Sequence, residues 1–243
     1  ATDIGELTST QVSAFTRTQI VRLGTESVAA LDTTQMGAIS TTVLQALNAT
    51  QLGALEAADV AEFSTTQIAN LSTTQIRGLG TTFLSGLSDT QVAALTTTQL
   101  GSLTTTNLSA LDGTQAAALT TTQLRSLTTT QLGSLNATDV GEFTTTQIGA
   151  LTNTQAQSLT STQLAGLADT QIQAFTTTQI ANLSTTQVRN LTTDILAALD
   201  TTQVAALTAT QISSLSPITS HLDRFIHSPI SSAASSICKK SCK

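Results

Sequence analysis

An eight-residue period runs through the chain without insertion or deletion from its first residues to Leu215. It reads most cleanly at Leu127-Thr128-Thr129-Thr130-Gln131-Leu132-Gly133-Ser134-Leu135. We letter the octad a to h, with a the residue after the leucine. Position h recurs every eight residues from Leu7 through Phe15 and Leu23 to Leu215, and it is always Leu, Ile or Phe. Position e, from Ile4 and Val12 to Ile212, is always apolar, and smallest at Ala116 and Ala156. Position c is nearly always Thr, and position d is mostly Gln, with Asp at 3, 59 and 139. So strict a period makes the octad, not the domain, the unit to explain.

Each octad carries a helix-start signal. Position a is Ser, Thr, Asp, Asn or Gly except at Glu56 and Ala168, which matches the preference for an N-cap. Three residues on, the Gln or Asp at d can reach back to the cap's own N–H and form a capping box. The apolar residues at h and e, such as Leu127 and Leu132, are spaced for a hydrophobic staple. A helix places residues three apart on one face, so e and h share a stripe; a strand sends them to opposite faces. Gln, Ala and Leu also favour helix. Thr, Ile and Val favour strands, which keeps a Thr-rich β-solenoid as the alternative fold.

One continuous helix is excluded, because eight residues turn a helix by about 800° and the stripe would drift by about 80° per octad. The helix therefore stops and restarts at each cap. The octads also alternate. At e, Val occupies 12, 28, 60, 92, 140, 188 and 204, all in every second octad. At f, the long polar residues Gln45, Arg77, Arg125, Gln157, Gln173 and Arg189 fall in the same alternate set. These two sortings predict an all-α solenoid of short capped helices with two octads, sixteen residues, per coil. Residues 1–215 form the solenoid, and residues 216–243 a C-terminal cap and a basic, Cys-containing tail.

Charge and residue choice exclude most function classes. Residues 1–215 contain no Pro, Cys, His, Lys, Trp or Tyr, and their fourteen acids outnumber five arginines. That acidic balance argues against nucleic acid or an anionic membrane as partner. No stretch approaches the ~20 apolar residues of a membrane span, and no basic leader with an apolar run stands at the start. Catalysis needs a nucleophile, a base and a stabiliser in one pocket. The repeats offer only hydroxyls and amides that capping already employs, so no enzyme and no cofactor are expected. Asp3 with Glu6, Asp59 with Glu62, and Asp139 with Glu142 are carboxylate pairs three apart, read as solvated charge rather than a Ca²⁺ site. Six N-x-Ser/Thr sequons, at Asn48, Asn70, Asn107, Asn136, Asn182 and Asn190, are read as chance matches in a Thr-rich chain. The apolar residues at d, Val43, Phe83 and Ile195, are read as local repacking, with a small contact patch as the alternative.

Past Leu215 the register fails at Ser216-Pro217. Ile218 to Ile226 could form a helix that covers the last coil with Leu222, Phe225 and Ile226. Cys238 and Cys242 are candidates for a short disulfide; with His221 and His227 they make a nominal zinc set of loose spacing, and no metal is assigned.

The Leu/Phe-Thr-Thr-Thr-Gln-Ile/Leu/Val phrase, as at 95–100 and 143–148, resembles Thr/Gln-rich octad tracts of large bacterial surface or secreted, adhesin-like proteins. The resemblance spans residues 1–215 and implies a stalk or adhesive role at the cell surface or outside the cell; it brings no functional residues with it. The start of the octad also looks like the first helix of DNA-binding effector repeats, but the eight-residue period and the acidic charge depart from that family. Three functions follow as expectations. The leading one is a non-enzymatic structural repeat: a stiff spacer, an adhesive segment or a filament subunit capable of end-to-end self-association. The second is a platform for a protein or glycan surface, with Arg77, Arg125, Gln157, Gln173 and Arg189 as its contact ridge. The third is ice binding by flat Thr arrays, which requires the β-solenoid.

Overall fold

A computed structural model describes residues 2–215, with side chains from residue 4 onward. The expected C-terminal cap, the Cys238–Cys242 disulfide and the nominal zinc set with His221 and His227 lie outside the described residues. The described residues form twenty-seven short α-helices, one per octad, from Thr2–Gly5 to Ala209–Ser214. No strand occurs among them, so the β-solenoid and the flat Thr array that ice binding required are replaced by helices.

The helices are four to six residues long because each octad carries its own start and stop. At Thr97–Ser102 the N-cap Thr96 is extended (φ −73°, ψ 156°), and the helix closes at Leu103, again extended (φ −60°, ψ 142°). Thr104 follows as the next extended cap (φ −70°, ψ 159°), so two consecutive extended residues turn the chain between helices. No described residue, glycine included, has a positive φ. Helices this short are not stable alone in water, so their stability comes from packing.

Two compact units divide the described residues, with the boundary between Leu127 and Thr128. The same packing rule holds within each. The strongly packed helices are three apart in sequence. In the first unit, Thr73–Gly78 lies between Ala49–Leu52 and Thr97–Ser102. In the second, Thr177–Asn182 lies between Asn153–Ser158 and Thr201–Ala206. The solenoid of capped short helices is therefore as the octad predicts, but a coil takes three octads rather than two. Two extended residues set the turn between helices, and that turn brings the third helix on, not the second, back against the first. The two-octad alternation acts differently. Three is an odd step, so every helix of one set stacks on helices of the other.

The core is the inward stripe of d, e and h. Val12, Ile20, Leu44, Leu52, Leu84, Leu100 and Leu124 at e are fully buried, and Leu95, Leu119 and Leu127 at h nearly so. Burying each such side chain contributes up to about 1.5–3 kcal/mol, and only stacked coils achieve it. Small residues at f and g let coils approach. A Cβ on Gly86 would lie 2.7 Å from Ala57 Cα, and one on Gly149 would lie 2.9 Å from the Ala174 carbonyl oxygen.

Candidate functional site

The most elaborate chemistry of the fold sits at position d. Gln99 shows it. Its backbone N–H donates to Thr96 Oγ1 at 3.2 Å, and its Oε1 accepts the Thr96 backbone N–H at 2.8 Å, which completes the capping box. The other half of the amide points away from its own helix. Nε2 donates to the carbonyls of Ile68 at 2.9 Å and Leu71 at 2.8 Å, thirty-one and twenty-eight residues earlier. The orientation of the amide is fixed by this pairing, because a flipped group would face an N–H donor to the Thr96 N–H.

Each pair of acceptors is a carbonyl at h, which lies past the end of its short helix, and one at e, which already accepts the h N–H of its own octad, as Ile68 does from Leu71 at 3.1 Å. The last carbonyls of every helix lack an intrahelical donor, and buried ones left unmet would each cost about 1–3 kcal/mol. The d amide of a later coil meets them. Gln51 donates to Ile20 and Leu23, Gln75 to Leu44 and Leu47, and Gln123 to Val92 and Leu95. In the second unit, Gln163 donates to Leu132 and Leu135, Gln187 to Ala156 and Leu159, and Gln211 to Ile180 and Leu183. These glutamines are buried, between 2 % and 5 % exposed, and no buried side-chain polar atom among the described residues lacks a partner. The capping reading of d was therefore half of its role.

Substitutions at d show which half each residue keeps. Asn107 is one methylene shorter; its Nδ2 still donates to the Leu79 carbonyl at 2.9 Å, and no capping box forms there. Asp59 keeps the capping half, its Oδ2 accepting the Glu56 N–H at 3.1 Å, but a carboxylate has no N–H to send across the coil. It is buried, and burial pushes its carboxyl above the ordinary carboxylate range, with Glu56 and Asp32 adding to the rise. Val43, Phe83 and Ile195 are buried at 3 %, 1 % and 5 % exposure, so they fill core and form no surface patch. Phe83 stacks on Phe63 with ring centroids 6.4 Å apart. At Ala168 the cap has no side-chain acceptor, and only the returning bond from its N–H to Gln171 Oε1 remains, at 2.8 Å.

The expected contact ridge is exposed in full: Arg77, Arg125, Gln157, Gln173 and Arg189 all face solvent. Their spacing differs between the two units. Gln157 sits on Asn153–Ser158, Gln173 on Asp169–Gln173 and Arg189 on Thr185–Arg189; each is two octads from the next, whereas packed helices are three apart. In the first unit the helices of Arg77 and Arg125 lie two coils apart. Two f side chains also join coils. Gln45 Nε2 donates to the Asn70 carbonyl at 2.7 Å, and Gln157 Nε2 to that of Asn182 at 2.5 Å, in each case twenty-five residues later.

The carboxylates at d serve their own helices. Asp59 is turned into the core and Glu62 is exposed; Asp139 is engaged by the Asn136 N–H at 3.1 Å. Among the described residues, no group of three or more His, Cys, Asp or Glu stands together as a metal site. Of the sequon asparagines, Asn107 is buried; Asn48 and Asn136 serve as N-caps through their Oδ1 atoms. No described helix is long and apolar enough to cross a membrane.

Four stretches of the chain match the family model of the ALTTAQ repeat, at residues 28–65, 52–97, 68–105 and 117–153, together just under half of the chain. The phrase is legible as Ala94-Leu95-Thr96-Thr97-Thr98-Gln99. The match establishes a repeat protein, in keeping with the octad reading. No curated protein matches the chain.

Proposed function

We propose that this chain is a non-enzymatic structural repeat, serving as a stiff spacer or adhesive segment of a bacterial surface protein. One observation carries the reading. The inward polar side chains of the repeats are consumed in capping helices and joining coils, as Gln99 is on both halves of its amide. The outward positions a to c repeat the same exposed hydroxyls from octad to octad, which suits a uniform surface rather than a reaction centre. The ALTTAQ match supports a repeat role. The placement at a bacterial surface rests on the likeness to adhesin-like octad tracts.

A spacer is defined by its length, not by any one octad. The test displays the chain on cells with a binding module fused to its free end and measures capture of a surface-bound target. Capture should fall as octads are removed, whichever octads they are, and recover when others are duplicated. Loss tied to one particular octad, at unchanged length, would overturn the spacer reading.

The exposure of the long f side chains favours a second reading, a platform for a protein or glycan. Alanine at Arg77, Arg125, Gln157, Gln173 and Arg189 together should then abolish partner capture. Retained capture would dismiss it.

A further inference from the structure

Position c is the most constant exposed position of the repeat. It is Thr in twenty-four of twenty-seven octads and never Ser, although Ser stands at a and at b. Every described c side chain, from Thr10 to Thr210, is exposed. Few of them have a task within the fold. Among the described c hydroxyls, only those of Thr90, Thr114 and Thr202 make hydrogen bonds, with Ser88, Asp112 and Asp200 two residues before. The hydroxyls at a differ: Thr96 Oγ1 accepts the Gln99 N–H at 3.2 Å and donates to Gln99 Oε1 at 3.1 Å.

The helix does not need Thr at c. Thr is a poor helix former, and the helices Thr25–Ala29, Ala57–Ala61 and Thr193–Ala198 form with Glu26, Ala58 and Asp194 in its place. Recent copying of the octad does not explain the constancy either. The neighbouring b residue is nowhere buried among the described residues, yet it is Thr in only fifteen octads and elsewhere Ser, Arg, Ala, Asp, Gly or Asn. A docked partner would hold Thr on one side only. Packed helices are three octads apart, so the c residues form three separate rows in each unit, and Thr predominates in all three. A use that treats every row alike fits this pattern, and covalent modification is such a use.

We propose that the c threonines are acceptors for O-linked sugar, so that the repeat carries carbohydrate along every row. In the transfer, Thr Oγ1 attacks the anomeric carbon of a sugar held on a nucleoside diphosphate. A new carbon–oxygen bond forms as the bond from that carbon to the diphosphate oxygen breaks. The nucleoside diphosphate leaves, and the hydroxyl proton passes to a base of the transferase. The choice of Thr over Ser follows from stiffness: two heavy atoms on Cβ restrict χ1, so a sugar on Thr projects in a fixed direction. The proposal stands apart from the spacer reading, which an unmodified chain would leave intact.

The test is mass spectrometry of the protein isolated from the cells that make it, with sites mapped by electron-transfer fragmentation. Peptides of the repeat should exceed their sequence mass by whole sugar residues. The sugars should lie on c residues such as Thr98, Thr122 and Thr130, and not on the caps Thr96, Thr120 and Thr128. The variant Thr98→Ala with Thr122→Ala and Thr130→Ala, made in the same cells, should lose those sugars and keep the helical spectrum, since the helix with Ala58 at c forms. Peptides at their plain sequence mass overturn the proposal. So does sugar found on the caps as often as on c, or added mass that is phosphate.

Discussion

A glutamine side chain has one acceptor and two donors on a planar head, and position d uses both ends at once. Gln99 shows the consequence for stability. In Gln99→Glu the capping oxygen survives, but a carboxylate faces the carbonyls of Ile68 and Leu71. Unfolding by urea should give a loss of about 1–3 kcal/mol at neutral pH, and the loss should shrink in acid as the new carboxyl protonates. Asp59 is the natural version of that change. Its raised carboxyl favours the folded state when protonated, so its penalty is present above the raised value and fades as the pH falls through it. Asp59→Gln should therefore stabilise the chain near neutral pH, by about 1 kcal/mol for the restored hydrogen bond, with a smaller gain in acid. Asp112 and Asp200 act in the opposite sense. Hydrogen bonds from the Gln115 N–H and Thr114 hold Asp112 low, and those from Thr202 and the Gln203 N–H hold Asp200 low. Their contribution is present above the ordinary carboxylate range and is lost as the pH falls through the lowered values. The capping half of d was legible in the sequence from the spacing of Thr96 and Gln99. The second half left a mark that spacing could not show: a capping box accepts Glu as readily as Gln, yet Glu never stands at d. A missing residue type marks a need for an N–H donor, but it does not say where the acceptor is.

At the scale of the helix, start and stop signals were legible and the coil was not. All octads but those of Glu56 and Ala168 print an N-cap, and all print the apolar pair, which suffices to define the helices. The number of octads per coil depends on the turn between helices, set by two extended residues such as Leu103 and Thr104. No residue type announces that angle, because no positive φ or special glycine is used. The glycines serve close approach instead. Gly86→Leu should lower stability by about 1–3 kcal/mol, since its Cβ would meet Ala57 backbone; a thermal melt would register it, and an unchanged melt would refute the close packing. Thr128→Ala should cost about 1 kcal/mol, because its Oγ1 accepts the Gln131 N–H at 3.1 Å. The helix should survive that change, as the one after Ala168 does without a side-chain cap.

Across the whole chain, stability in such repeats is a sum over neighbouring coils. The alternation of octads then has a testable meaning. Deleting one octad, residues 96–103, brings helices of the same set into contact three apart; deleting two, residues 96–111, restores the alternation. The longer deletion should melt at the higher temperature of the two, and the reverse order would remove the alternation from the account. The central claim is that d amides join coils across twenty-eight and thirty-one residues. Its most direct test is nuclear magnetic resonance of the glutamine side-chain amides, with the Gln99 signal identified by its loss in Gln99→Leu. The fold predicts Overhauser contacts from the Gln99 Nε2 protons to Ile68 and Leu71, and slow exchange with water. Contacts to residues about sixteen positions away, or rapid exchange, would contradict it.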